Sequence, residues 1–321
     1  MLHKIKKVRT YKMEIKEYTE EKKHIWNEFI QNSKNGIFMF NRGFMDYHSG
    51  RFQDNSLMFY EDDVLLAILP ASLHGNELRS HGGLTYGGFI TNEKMKQHKM
   101  LECFDVLRLY MRENGISNLV YKAVPYIFHK QPAEEDLYAL FRSNAKILKI
   151  EPSTAVLLKN PVKMPKGRKA QISRALREGV KIELSDDFET FLKLENSVLI
   201  KHNTQAVHSA EELRLLKSRF ENEIQLWTAV YQNKIIAASL LFVYDNAVHT
   251  QYMAADDKAR EIGALDLLIK TVMDEFSAGK TYLDFGISSE NGGGFLNEGL
   301  ISQKEGFGGR TLCYQTWEIR V

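Results

Sequence analysis

The 321 residues are 44% hydrophobic, 26% charged and 11% aromatic, an ordinary globular composition with material for about two domains at roughly 150 residues each, which excludes a disordered chain. Lys and Arg total 43 against 41 for Asp and Glu, a formal charge of +2, so no global field marks a nucleic-acid coat or membrane binder and any anionic partner must be met locally. Two cysteines, Cys103 and Cys313, are too few for a disulfide framework or a zinc cluster and suit a reducing compartment.

The N-terminus is basic but leads into Tyr11-Lys12-Met13-Glu14, which does not read as a secretory signal. Apolar runs such as 235–243 fall well short of the roughly 20 residues that span a bilayer. A cytoplasmic protein without an integral membrane segment is expected. From Asn41 to Asp54 aromatic and charged residues mix with neither helical nor strand period, which points to a binding loop carrying Arg42, Asp46, Tyr47, His48 and Arg51. A β-hairpin is predicted over 58–68, as strand, polar turn and apolar strand. Ser80 to Gly88, with paired glycines around His81 and Tyr86, suits backbone bends beside a pocket. Met100, Leu101, Phe104, Leu107 and Met111, spaced by three and four, predict a helix that ends at Asn114-Gly115 before a strand over 117–121. Cys103 falls on that helix as core, and His129 follows in a loop.

The six prolines lie between 70 and 165, and three of them bracket 152–165, which marks a domain junction because proline stops helices and leaves central strands unpaired. The division expected is 1–155 and 156–321. Just beyond it, 166–179 holds five basic residues and one acid on a short helix closed by Gly179. Arg168, Lys169 and Arg174 could receive phosphates there, or the helix could present a solvated basic face. Asp187 caps a helix through Phe188, Phe191, Leu192 and Glu195, and Ser209 with Glu212 forms a capping box ahead of Leu213, Leu216 and Phe220. His202 and His208 lie between them.

A second hairpin is predicted over 229–239, followed by a strand at 248–253 containing Tyr252, a helix through Leu265, Leu268, Ile269, Val272, Met273 and Phe276 ending at Gly279, and a strand at 281–285. Hairpin, helix and strand therefore occur twice, which reads as a duplication. Arg260-Glu-Ile-Gly263-Ala264 opens the second helix where a phosphate loop would offer bare backbone N–H groups, although Leu265 fills its last small position and Asp256-Asp257 oppose an anion. The glycine-rich tail over 282–309 carries Asp284, Asn297 and Lys304. A lysine held there could stabilise the oxyanion of an acyl-transfer intermediate, or simply sit on a surface loop. No His-Glu-x-x-His, Cys-x-x-Cys or close histidine pair argues for a metal, and none is expected.

The ending Leu283-Asp284-Phe285-Gly286, Leu296-Asn297 and Lys304-Glu-Gly-Phe307-Gly308-Gly309, together with the tandem units, resembles the FemAB-like branch of the GNAT acyltransferase superfamily. Ser80 to Gly88 and Lys122 to His129 are similar to segments of acetyltransferase-like proteins of that branch associated with surface-polysaccharide loci. The resemblance implies an α/β fold of mixed α+β character: two tandem GNAT-like domains, each a mixed, mainly antiparallel sheet flanked by helices. It also implies substrate bound at or near their interface and transfer of an acyl or aminoacyl group to an amine. The family's C-terminal lysine falls on Lys304, near the reacting carbonyl. The absence of a long helical-hairpin arm counts against tRNA as donor, and the imperfect phosphate loop counts against coenzyme A.

The expectation is an acyl-CoA-dependent N-acyltransferase acting on an amino-sugar or cell-envelope precursor, nucleotide- or lipid-linked. Its base would be His48, His202 or Tyr252, its cofactor residues Arg260, Gly263, Arg168, Lys169 and Arg174. Substrate would be met by Arg42, Asp46, Tyr47, Arg51, His81, Tyr86, His129, His208, Asp284 and Asn297. The alternatives are an aminoacyl-tRNA-dependent transferase and a non-catalytic glycan- or nucleotide-binding module.

Overall fold

A computed structural model describes residues 11–200 and 206–321. In the first half, β1 (Met13–Glu17), α1 (Lys23–Gln31), α2 (Arg42–Met45) and β2 (Gln53–Asp54) precede the hairpin β3 (Leu57–Glu61) and β4 (Val64–Leu69). β5 (Ser72–His74), β6 (Glu77–Arg79) and β7 (Ile90–Thr91) lead to α3 (Gln97–Glu113), β8 (Asn118–Lys122), α4 (Glu135–Arg142) and β9 (Lys146–Leu157). In the second half, α5 (Lys166–Arg177), β10 (Lys181–Ser185), α6 (Phe188–Leu199) and α7 (Ala210–Arg219) precede β11 (Ile224–Tyr231), β12 (Lys234–Val243) and β13 (Ala247–Ala255). α8 (Asp257–Ile262), α9 (Ala264–Phe276), β14 (Tyr282–Ile287), β15 (Ser289–Glu290), β16 (Phe295–Leu296), α10 (Glu298–Glu305) and β17 (Arg310–Arg320) complete the described chain.

The predicted duplication reappears in its irregularities. β3 and β4 are joined by Asp62-Asp63 at φ 48° and 62°, and β11 and β12 by Gln232-Asn233 at φ 49° and 61°. Positive φ at both central residues is the turn whose twist matches that of flanking strands. Each hairpin also carries a bulge at the same place, between Phe59 and Tyr60 and between Ala229 and Val230.

Strands β1-β3-β4-β7 form one antiparallel sheet, and the order β10-β11-β12-β13-β14-β9-β17-β8-β6-β5-β2 forms a second of 11 strands. Among the described residues of the larger sheet, only β13 with β14 and β6 with β8 run parallel. β17, the last strand, lies between β9 and β8, so one sheet runs through both halves. α3 and α4 cover a first-half core that includes Phe59, Phe89, Phe104 and Tyr121, and α5 and α9 cover a second-half core around Leu241, Val248 and Leu283. A third cluster binds the halves together, with Trp26, Phe40, Phe44 and Phe128 packed among Phe188, Phe191, Phe220 and Phe242.

Candidate active site

The parallel pair β13 and β14 is in register only at 247–249 with 282–284. Beyond that point β13 continues along β12 and β14 along β9, so the two strands fork. Both strands are irregular at the fork. On β13 the register jumps from Tyr252 to Thr250, leaving Gln251 as the extra residue of a bulge. On β14 it breaks between Asp284 and Ile287, with Gly286 at φ +71°. A Cβ at Gly286 would stand 3.2 Å from Cε1 of His249, so a side chain there would crowd the imidazole. Bulges of this kind re-aim backbone and side chains beside active sites. Thr250, Gln251, Phe285, Gly286, Ile287, His249, Tyr314 and Thr85 line a cavity of about 250 Å³ in the fork.

Asp284, fully buried, lies behind His249, Gly286 and Tyr314 of that lining. Its Oδ1 accepts from Ser153 Oγ at 2.6 Å. Its Oδ2 accepts from Tyr314 OH at 2.6 Å and from the Gly286 N–H at 3.2 Å, and meets His249 Nδ1 at 2.6 Å. A carboxylate only accepts, so the histidine proton belongs on Nδ1, and the other ring nitrogen is left as an acceptor. An orienting acid, a histidine of fixed tautomer and a cavity on its outer side are the elements of a general base. Burial beside Asp284 drives the Tyr314 phenol well above its usual value, so it stays a donor.

Lys304, in the last turn of α10, is 4% exposed. Its Nζ donates to the carbonyls of Gly286 and Ile287 at 3.0 and 2.6 Å, at the irregularity of β14. Burial pulls its pKa down to about 8, against the opposing pull of Asp284. It thus backs the wall of the cavity.

The predicted cofactor residues separate into two groups. Arg168 and Arg260 line a cavity of about 480 Å³ with Met253, Ala255, Leu265 and Asp266, further along β13 from the fork. Arg168 pairs with Asp266 in the first turn of α9 and lies 3.7 Å over the Phe307 ring. Arg260 is held by Asp257 at 2.8 Å. Gly263, at φ +77°, joins α8 to α9, and a Cβ there would strike the Gln171 carbonyl at 2.6 Å, so α5 closes directly on the loop. Arg174 pairs with Glu261 at 3.2 Å and Lys169 is exposed, both away from that lining.

The predicted substrate residues also sort. Tyr47 stacks on His208 at 6.0 Å, His208 Nδ1 meets Tyr252 OH at 3.0 Å, and Arg51 pairs with Glu212. Desolvation raises the Tyr47 phenol to about 12 and also raises Tyr252. The loop of the first half thereby meets the start of α7. Arg42 is buried, paired with Asp46 and Asp54 and lying 3.9 Å over the Tyr18 ring. His81, at φ +44°, lies 5.6 Å from Phe52. Tyr86 is core, its OH 3.0 Å from that of Tyr244 and its ring 5.7 Å from Tyr314. His129 is buried against the Val124 carbonyl, and burial lowers it to about 4. Asn297 caps α10. His48 lies in the 3-10 turn Asp46–Arg51, and His202 lies outside the described residues.

The sequence reading missed His249, Ser153 and Tyr314. His249 stands in Val248-His249-Thr250 as an ordinary strand residue, 35 positions from Asp284, which in turn lies 30 positions from Tyr314 and 131 from Ser153. Among the described residues no group of three metal-ligating side chains converges, and no helix is long and apolar enough to cross a membrane.

Residues 166–291 match the family model described as an acetyltransferase (GNAT) domain. The fold is similar to that of FemX at 10% identity and TM-score 0.68, over 96% of this chain and 97% of that one. It is also similar to the C-terminal domain of a putative lysylphosphatidylglycerol synthetase from Agrobacterium fabrum, at 13% identity and TM-score 0.61 over 94% and 92% of the two chains. A tandem GNAT protein from the clavulanic acid biosynthesis pathway aligns at 11% identity and TM-score 0.53 over 96% and 98%. No curated protein sequence matches the chain.

Proposed function

We propose that this chain, a FemAB-like acyltransferase of the GNAT fold, transfers an aminoacyl group to an amine held at the fork of β13 and β14. The observation that carries the reading is the His249, Asp284, Tyr314 and Ser153 network opening onto that cavity. The unprotonated nitrogen of His249 takes a proton as the acceptor amine attacks the acyl carbonyl, with Asp284 steadying the imidazolium. The C–N bond forms, the bond to the leaving oxygen breaks, and the same proton returns to the leaving alkoxide. The bulge at Gln251 aims backbone at the developing oxyanion, and Lys304 supplies positive charge behind the opposite wall.

The first turn of α9 supports an aminoacyl donor. A pyrophosphate would need the helix N-terminus and free cations, but Asp266 occupies that turn and takes Arg168 for itself. An aminoacyl ester needs no pyrophosphate cradle, and a fold shared with a lysylphosphatidylglycerol synthetase is in keeping with such a cargo. The acceptor is an amine of a cell-envelope precursor, an amino-sugar or a lipid-linked group, met in the cytoplasm. Acyl-CoA is the second reading, favoured by the cavity that Arg168 and Arg260 line.

The experiment offers carbon-14-labelled aminoacyl-tRNA and, separately, labelled acetyl-CoA with a panel of amino-sugars, lysyl peptides and amine-bearing lipids, and follows label into amide. Label is expected from aminoacyl-tRNA and is expected to vanish in His249→Ala. Label from acetyl-CoA alone would establish the second reading, and label from neither would overturn transfer.

A further inference from the structure

The face of the large sheet that carries Tyr314 continues past the fork into a row of cations that the reaction above does not use. Lys149 on β9 pairs in register with Thr316 on β17, which pairs with Lys122 on β8. Leu119 and Tyr121, the alternate residues of β8, point into the core, so Lys122 points the other way, on the face of Thr316 and Tyr314. Arg79 on β6 pairs with Val120, two residues back on that face. The row lies about 7 Å along the strands from Tyr314, the phenol that holds Asp284.

Its charges do not balance. Lys149 is paired with Glu151 at 2.6 Å and Arg79 with Glu77 at 2.6 Å. Lys122 donates to the Leu84 carbonyl, and among the described residues no carboxylate pairs with it. Burial, and then the charges of Lys149 and Arg79, pull the Lys122 ammonium down to about 8, against the opposing pull of Glu151. The row is open to solvent, with the Lys149 side chain 34% exposed and that of Arg79 44%. Leu84 is followed by Thr85, which lines the transfer cavity. By contrast the cations Arg168 and Arg174 of α5 each have an acid.

We propose that Lys122, Lys149 and Arg79 form a subsite for an acidic group of the acceptor, a phosphate or a carboxylate, which supplies the missing negative charge and holds the amine within reach of His249. The subsite deepens the transfer reading and rests on it for its meaning, but its test reads binding alone. A chain that binds the anion and transfers nothing would overturn transfer and leave the subsite standing.

The full chain is titrated at constant ionic strength with sodium pyrophosphate and, separately, sodium glutarate, following the backbone amide resonances of Thr85, Lys122, Lys149 and Thr316. Saturable shifts at these amides are expected, at least tenfold weaker binding in Lys122→Met, and retained binding in Lys122→Arg. Lys149→Met, altered at a part-exposed side chain, gives the same readout if Lys122→Met does not fold. Response to pyrophosphate alone identifies a phosphate site, to glutarate alone a carboxylate site, and to both an anion site without preference. Response to neither, unchanged affinity in the methionine variants, or shifts centred on α5 would overturn the proposal.

Discussion

The two halves treat the same fork in opposite ways. In the second half β13 runs unbroken from its parallel pairing with β14 to its pairing with β12, and the gap beyond His249 and Asp284 stays open as a cavity. In the first half the corresponding strand is cut in two: β6 pairs with β8, the chain leaves at Ser80, and it returns as β7 on β4. The intervening loop fills the gap, with the Gly87 N–H donating to the Lys122 carbonyl and the Phe89 N–H to Tyr121 OH. Where the second half sets His249 beside Asp284, the first sets Arg79 beside Val120. A duplicated fold therefore does not imply a duplicated site, because chemistry rests on a few side chains and on whether backbone occupies their cleft.

The sharpest way to break this comparison is to remove one member of each pair. His249→Ala should lower kcat/KM for acyl transfer by about 10²-fold or more, whereas Val120→Ala should leave it within about threefold. Equal losses in steady-state assays would mean that the first-half fork also takes part. Next in size is the filling of the first-half fork. Gly88 sits at φ +85°, and a Cβ there would stand 2.6 Å from the hydroxyl of Tyr121, itself fixed by Asp136. Gly88→Ala should cost about 3 kcal/mol in urea unfolding. Gly115→Ala, also at positive φ but in open space, should cost about 1 kcal/mol. A Gly88→Ala chain as stable as wild type would show that the loop does not pack as described.

The smallest effect sharpens the role of Lys304. Its ammonium, lowered to about 8 by burial, is charged below that pH and neutral above it, so a required positive charge predicts an activity that declines above about pH 8. Lys304→Ala should lose at least about tenfold at pH 7. Lys304→Arg should carry the alkaline decline beyond pH 10, because a guanidinium stays charged there. A wild-type rate profile flat to pH 9.5 would remove the charge from the mechanism and leave Lys304 as a brace for the β14 bulge.

The parts of this molecule written in local sequence were legible. Both hairpins announce themselves by polar dipeptides between apolar runs, α3 and α9 by apolar residues spaced three and four apart, and α7 by its capping box, which forms as read. Lys304 and Asp284 are singled out as candidates by an ending that resembles a known family. Residues whose chemistry depends on distant partners were not. The cations of α5 look like a free basic patch along the chain, yet Arg168 and Arg174 are neutralised by acids 98 and 87 positions away. Arg42 looked like a ligand-binding residue and instead bridges Asp46 and Asp54 under the Tyr18 ring.

Composition, periodicity and turn chemistry by themselves thus determined the two hairpins, the helices α3, α5, α6, α7 and α9, the strands β8, β13 and β14, and the repeat of hairpin, helix and strand, because hydrophobic spacing and turn geometry act over a few residues. Only the tertiary structure decided which copy keeps an open fork and what stands in it. Ser153, His249, Asp284 and Tyr314 come from β9, β13, β14 and β17, and they meet because one sheet threads both halves with its last strand in the middle. No spacing along the chain encodes that meeting. It follows from strand pairing, which places residues by neighbour and register rather than by distance in sequence.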